Sequence, residues 1–143
     1  MTSQTPAPAT SDQPPEERIK VLVVEDNDLN MKLFCDLLEA HDFAALQTRD
    51  GLAAIDIAKA ELPQLILMDI QLPQISGLEI TRRIKADALT SQIPIVAITA
   101  FAMKGDEEKV RSAGCEGYIS KPISVKGFIQ TVRQFAGLTE INN

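Results

Sequence analysis

Three nearly continuous apolar runs in this chain end in groups that can do chemistry. Ile19-Lys20-Val21-Leu22-Val23-Val24 is closed by Glu25-Asp26, Leu65-Ile66-Leu67-Met68 by Asp69, and Ile95-Val96-Ala97-Ile98 by Thr99. A shorter run, Gly117 to Ser120, is followed by Lys121-Pro122. If the segments that end in Glu25-Asp26 and in Asp69 are neighbours, these acids converge, and two like charges about 4 Å apart repel by roughly 4 kcal/mol at an effective dielectric near 20. A cation must offset that repulsion. Oxygen-only ligands select a hard ion, and a few carboxylates with several retained waters suit Mg²⁺ better than a dedicated Ca²⁺ cage. Lys121 adds a fixed positive charge. A carboxylate nucleophile, a divalent ion, an ammonium and a hydroxyl are the parts that position and neutralise a phosphoryl group in transfer. Each group alone has a plainer reading, as a helix cap or a solvated loop residue; their co-occurrence at strand ends makes Asp69 a phosphoacceptor.

The elements that must position these groups follow from periodicity. The three apolar runs read as central strands covered by helices on both faces; Phe43 to Thr48 and Gly117 to Ser120, shorter and more mixed, read as the second and fifth strands. Met31, Phe34, Cys35 and Leu38 follow the i, i+3, i+4, i+7 spacing of a buried helical stripe, and a second helix spans about Leu52 to Glu61, before Pro63. A third starts near Ser76-Gly77 and runs through Ile80 and Ile84, a fourth ends at Gly114, and a last begins after the N-cap Ser124. Gly127 lies inside that last helix and makes it the expected loosest element. Right-handed crossovers then give an α/β fold, a doubly wound five-stranded parallel sheet of (βα)5 type. Ligands in such a sheet bind at the carboxyl ends of the strands. Every strand end except the second is expected to carry polar chemistry.

The 143 residues amount to one domain. Residues 1–17, with four of the eight prolines, read as a disordered tail, 18–137 as the domain, and 138–143 as a short C-terminal tail. A net charge of −6 opposes the counterion release that drives non-specific nucleic-acid binding. No stretch is apolar for long enough to span a membrane, and the N-terminus lacks the order of a signal peptide, so a cytoplasmic location is expected. Cys35 and Cys115 lie outside any C-x-x-C spacing and read as small core residues. His41 is the sole histidine, read as a surface residue, which excludes a zinc cluster or a triad hydrolase.

Val23-Val24-Glu25-Asp26-Asn27, Leu67-Met68-Asp69-Ile70-Gln71-Leu72-Pro73 with Gly77, Ile98-Thr99-Ala100 and Lys121-Pro122 resemble the receiver domain of two-component response regulators over about residues 19 to 137, a flavodoxin-like architecture. The resemblance implies that Asp69 is the phosphorylated aspartate, and that Glu25, Asp26, Asp69 and the backbone carbonyl of Gln71 hold Mg²⁺. It implies that Thr99 is the switch hydroxyl, that Lys121 pairs with the phosphoryl group, and that Tyr118 is the aromatic switch. Glu25 stands where the family more often has Asp. The Lys121-Pro122 bond is usually cis in that family. Longer runs, Glu25 to Phe34, Met68 to Pro73 and Thr99 to Asp106, resemble the family's single-domain regulators of cell division.

That likeness implies a phosphorelay component of the cell cycle rather than a turnover enzyme. A histidine kinase or histidine phosphotransfer protein would be the donor. A downstream protein would read the face made by the fourth helix, fifth strand and fifth helix; no nucleic acid or membrane is involved, and a monomer is expected. Phe101, Ala102 and Met103 are read either as an exposed docking patch or as the buried start of the fourth helix. Two other readings compete. A receiver that works as an adaptor without phosphorylation would not need the full set of Asp69, Thr99 and Lys121. An aspartate-nucleophile phosphatase needs a second acid two residues after the nucleophile, where this chain has Gln71.

Overall fold

A computed structural model describes residues 18–100 and 104–137. The tails expected at 1–17 and 138–143, and the Phe101-Ala102-Met103 segment, lie outside the described residues. Strands β1 (Ile19–Val24), β2 (Phe43–Thr48), β3 (Leu65–Asp69), β4 (Ile95–Thr99) and β5 (Gly117–Ser120) alternate with helices α1 (Asp28–Ala40), α2 (Gly51–Glu61), α3 (Gly77–Ala86), α4 (Lys104–Ala113) and α5 (Val125–Phe135). The strands form one parallel sheet in the order β2-β1-β3-β4-β5, the doubly wound arrangement that the periodicity predicts.

β1, β3 and β4 lie in the middle of the sheet and are almost wholly apolar because helices cover both of their faces. Successive residues serve opposite layers. Val21, Val23, Leu65, Leu67, Val96 and Ile98 pack toward α1 and α5, while Leu22, Val24, Ile66, Met68, Ile95 and Ala97 pack toward α2, α3 and α4. The α1 stripe of Met31, Phe34, Cys35 and Leu38 is buried as its spacing requires.

Local chemistry sets the helix ends. Asn27, Asp50, Ser76 and Ser124 cap the N-termini of α1, α2, α3 and α5, each side chain accepting a backbone N–H of the first turn. Gly114, at φ 110, takes the left-handed conformation that ends α4. α5 is not loosely held: Phe128, Ile129 and Val132 are buried, and the Phe128 ring stacks on Phe34 at a centroid distance of 5.3 Å. Gly127 sits in the first turn of α5, where the intrahelical bonds it would weaken are fewest.

Candidate functional site

Register alone brings the site together. Val24 of β1 stands beside Met68 of β3, so the next residues, Glu25 and Asp69, emerge side by side. Asp69 pairs with Ile98 and Thr99 with Ser120, which puts Thr99 and Lys121 on the same rim. The Lys121 N–H donates to the Thr99 carbonyl at 2.8 Å, and the Lys121-Pro122 peptide is cis, as the resemblance implies.

Asp69 is nearly buried, and its Oδ1 accepts the Gln71 N–H at 2.9 Å. α3 starts against this turn: the Gly77 N–H donates to the Ile70 carbonyl at 3.2 Å. Glu25 is only 1% exposed. Its Oε2 accepts the Asn27 N–H at 3.1 Å, while Oε1 is the one buried side-chain polar atom among the described residues that lacks a hydrogen-bond partner. Burial first, and then the charge of Asp69, raise the Glu25 carboxyl to about 7; the Asn27 N–H and the Lys121 ammonium pull the other way. Two buried acids thus lie within electrostatic reach of one ammonium, and Thr99, 1% exposed, ends β4 on the same rim. Tyr118, half-buried, lies on the α3–α4 side of the sheet beside Ala97.

Asp26 follows Glu25 directly and is the more exposed of the two, lining a rim groove of about 250 Å³ with Arg49, Asp50 and Leu72. Among the described residues, no three acidic, histidine or cysteine side chains are closely grouped in the absence of a cation, as expected where each added carboxylate raises the like-charge repulsion. The donor set fits Mg²⁺, which takes few protein carboxylates and keeps several waters; the unpartnered Glu25 Oε1 is one oxygen of that kind.

One expectation needs correction: the end of β2 does carry polar chemistry. β2 pairs with β1, so the corner after it adjoins the acidic turn. The Glu25 N–H donates to the Thr48 carbonyl at 3.2 Å, Arg49 Nη2 donates to the Asp26 carbonyl at 3.2 Å, and Arg49 Nη1 pairs with Asp28 at 2.7 Å. The signal in the sequence was Thr48-Arg49-Asp50 directly after an apolar run, legible only once β2 is known to neighbour β1.

Elsewhere, burial pushes the Cys35 and Cys115 thiols up to about 11, as suits core residues rather than nucleophiles. His41 is half-buried at the end of α1, with Nδ1 2.9 Å from the Leu37 carbonyl oxygen, rather than a plain surface residue. Among the described residues no helix is long and apolar enough to cross a membrane.

A doubly wound sheet with a buried acid pair, a hydroxyl and a lysine at its carboxyl edge is the design of a phosphoacceptor domain. Residues 21–133 match the response regulator receiver domain, and the chain belongs to that family. It is 58% identical over 117 residues to the polar-differentiation response regulators DivK of Brucella anthropi and Brucella ovis, an alignment covering 82% of this chain and 95% of each relative. Among solved structures, the receiver domain of a sensor histidine kinase from Pseudomonas aeruginosa, with a magnesium ion coordinated in its active-site cleft, matches at TM-score 0.78 and 31% identity, covering 84% of this chain and 98% of that one. A putative response regulator from Chloroflexus aurantiacus shares the fold at TM-score 0.81 and 22% identity, over 85% of this chain and 99% of its own.

Proposed function

We propose that Asp69 accepts a phosphoryl group from a phosphohistidine on a partner kinase or phosphotransfer protein. An Asp69 carboxylate oxygen attacks phosphorus, the N–P bond to the imidazole breaks, and the departing ring nitrogen takes a proton from water. The Gln71 N–H fixes the rotamer of Asp69 for that attack. The Lys121 ammonium, close enough to act on the Glu25 carboxyl, neutralises charge on the equatorial oxygens. Glu25 and Asp69, with Asp26 and the Gln71 carbonyl at the rim, would hold Mg²⁺. When bound, the ion offsets the charge of the acid pair and of the incoming phosphoryl group. The chain assists its own modification and is not a turnover enzyme.

The observation that carries this reading is the buried Glu25–Asp69 pair with Glu25 Oε1 left without a donor. A structural core has no use for an arrangement that invites a cation and a phosphoryl group.

The new charge on Asp69 would draw Thr99 and Lys121 inward and let Tyr118 turn into the vacated space, altering the face of α4, β5 and α5 that a downstream protein reads. The identity to proteins named for polar differentiation supports a role in cell division and cell-cycle control, in the cytoplasm. In the test, the protein is labelled with acetyl phosphate and with a phosphorylated histidine phosphotransfer protein, each with and without Mg²⁺. Acid-labile, Mg²⁺-dependent labelling that Asp69→Asn abolishes is the expected result; full labelling of the variant overturns the assignment. An adaptor that needs no phosphorylation would show no labelling, and a phosphatase would turn over added phosphate monoesters.

A further inference from the structure

The corner between β2 and α2 is tied to the acidic turn more tightly than sheet pairing requires. The strand ladder accounts for the bond between the Glu25 N–H and the Thr48 carbonyl. It does not account for Arg49, whose guanidinium spans the turn with one nitrogen on the Asp26 carbonyl at 3.2 Å and another on the Asp28 carboxylate at 2.7 Å. Those two acceptors bracket Asn27, whose own N–H is held by Glu25 Oε2 and whose side chain caps α1. The backbone that carries both acids at the end of β1 is thus fixed from the β2 side by a single forked donor.

Resting on the phosphoacceptor reading above, we propose that Arg49 is a positioning residue of the cation site. By bridging the Asp26 carbonyl and the Asp28 carboxylate it holds the turn that carries Glu25 and Asp26 in the orientation that a divalent ion requires. The same side chain separates two surface hollows, one lined by Asp26, Leu72 and Pro73, the other by Asp28, Met31 and Lys32. Release of the clamp would therefore let the acidic turn relax into open space rather than stay confined.

Two effects of Arg49 on cation affinity oppose each other. Its positive charge repels an arriving cation, whereas its fork pre-organises the carboxylates. The side chain is 58% exposed, so salt screens the repulsion strongly, and the geometric effect prevails. Arg49→Lys separates them, since lysine keeps the charge and loses the planar fork.

Calorimetric titration of the full chain with MgCl₂, at 0.05 M and 0.5 M KCl, reads both effects. Arg49→Lys and Arg49→Gln should each bind Mg²⁺ about tenfold more weakly than the parent, the low end of the loss expected when an outer hydrogen-bond partner of a metal site is removed. That deficit should persist at 0.5 M KCl. Should either variant fail to fold by circular dichroism, Asp28→Ala, which removes the acceptor at the other end of the clamp at an exposed position, should still lower affinity at high salt. Parent-like affinity in Arg49→Lys, or tighter binding in Arg49→Gln, would overturn the proposal. Glu25→Gln and Asp69→Asn titrated alongside keep the two readings apart. If these leave Mg²⁺ binding intact, the cation site itself is wrong; if they weaken it and the Arg49 and Asp28 variants do not, only the role of Arg49 fails.

Discussion

Gly77 and Asp69 approach so closely that a Cβ on Gly77 would collide with the Asp69 carbonyl oxygen and stand 2.7 Å from the Ile70 Cα. The obstacles are backbone atoms, which cannot swing aside as a side-chain tip can. Gly77→Ala should therefore push α3 away from the β3–α3 turn, lowering stability by about 1–3 kcal/mol and slowing acetyl phosphate labelling of Asp69. Gly127→Ala is the matched control: its Cβ would meet only Ser124 Oγ and Cβ, at 3.5 and 3.7 Å, and it should stabilise by about 0.5–1 kcal/mol. Urea denaturation of both variants checks the pair. Equal midpoints would show that the close approach is not a constraint.

The Glu25 carboxyl, raised from 4.5 to about 7 by burial above all, makes stability depend on pH. As pH rises from about 4.5, unfolded Glu25 loses its proton while folded Glu25 retains it. The unfolded state then binds fewer protons, and stability falls by up to about 1.4 kcal/mol per pH unit from this group until folded Glu25 ionises near 7. Glu25→Gln should flatten that decline and leave the metal-free chain more stable than the parent at pH 8. Urea melts in EDTA at pH 5, 6, 7 and 8 measure it, and identical slopes for the two proteins would remove the pair's electrostatic cost from the account.

Most of the fold was legible because its determinants are local. Helix stripes such as Met31, Phe34, Cys35 and Leu38, caps such as Ser76 and Ser124, and the glycine stop at Gly114 all act within a few residues of themselves. The site was legible to the extent that it sits at strand ends, since register alone places Glu25 beside Asp69. Two things were not. Arg49 meets Asp26 across 23 residues, a contact that exists only because β2 lies beside β1. The firm seating of α5 comes from Phe34 on α1 rather than from its own propensity, which Gly127 lowers.

Lys85 is a hub at the opposite edge of the sheet from the acids. Its ammonium donates to the Ser91 carbonyl at 3.3 Å, the Ile93 carbonyl at 2.7 Å and Glu116 Oε2 at 2.6 Å, with the side chain only 16% exposed. Glu116 in turn accepts the Ile95 N–H on Oε1 at 2.7 Å, so one ion pair fixes the entries to both β4 and β5. Lys85→Met keeps the aliphatic stem and strands these acceptors, which should cost about 1–3 kcal/mol. Glu116→Gln, which keeps an acceptor for Ile95, should cost less. Thermal melts of the two variants test the order, and a neutral Lys85→Met would show that water takes over the lost bonds.

Phe34 and Phe128, both fully buried, stack with 15° between their planes and join α1 to α5 across one layer. Phe128→Ala should destabilise by about 3–5 kcal/mol, and Phe128→Leu, which keeps most of the volume, by less than about 1.5 kcal/mol. Pairing Phe128→Leu with Phe34→Leu in a double-mutant cycle isolates the ring contact, expected at about 0.5–1.5 kcal/mol. α5 forms part of the face proposed to report on Asp69, so loosening it should act on output rather than on chemistry. Phe128→Leu should label with acetyl phosphate at the parent rate yet bind a downstream partner more weakly. Slower labelling in that variant would tie α5 to the phosphoacceptor site itself and contradict the separation of chemistry from readout.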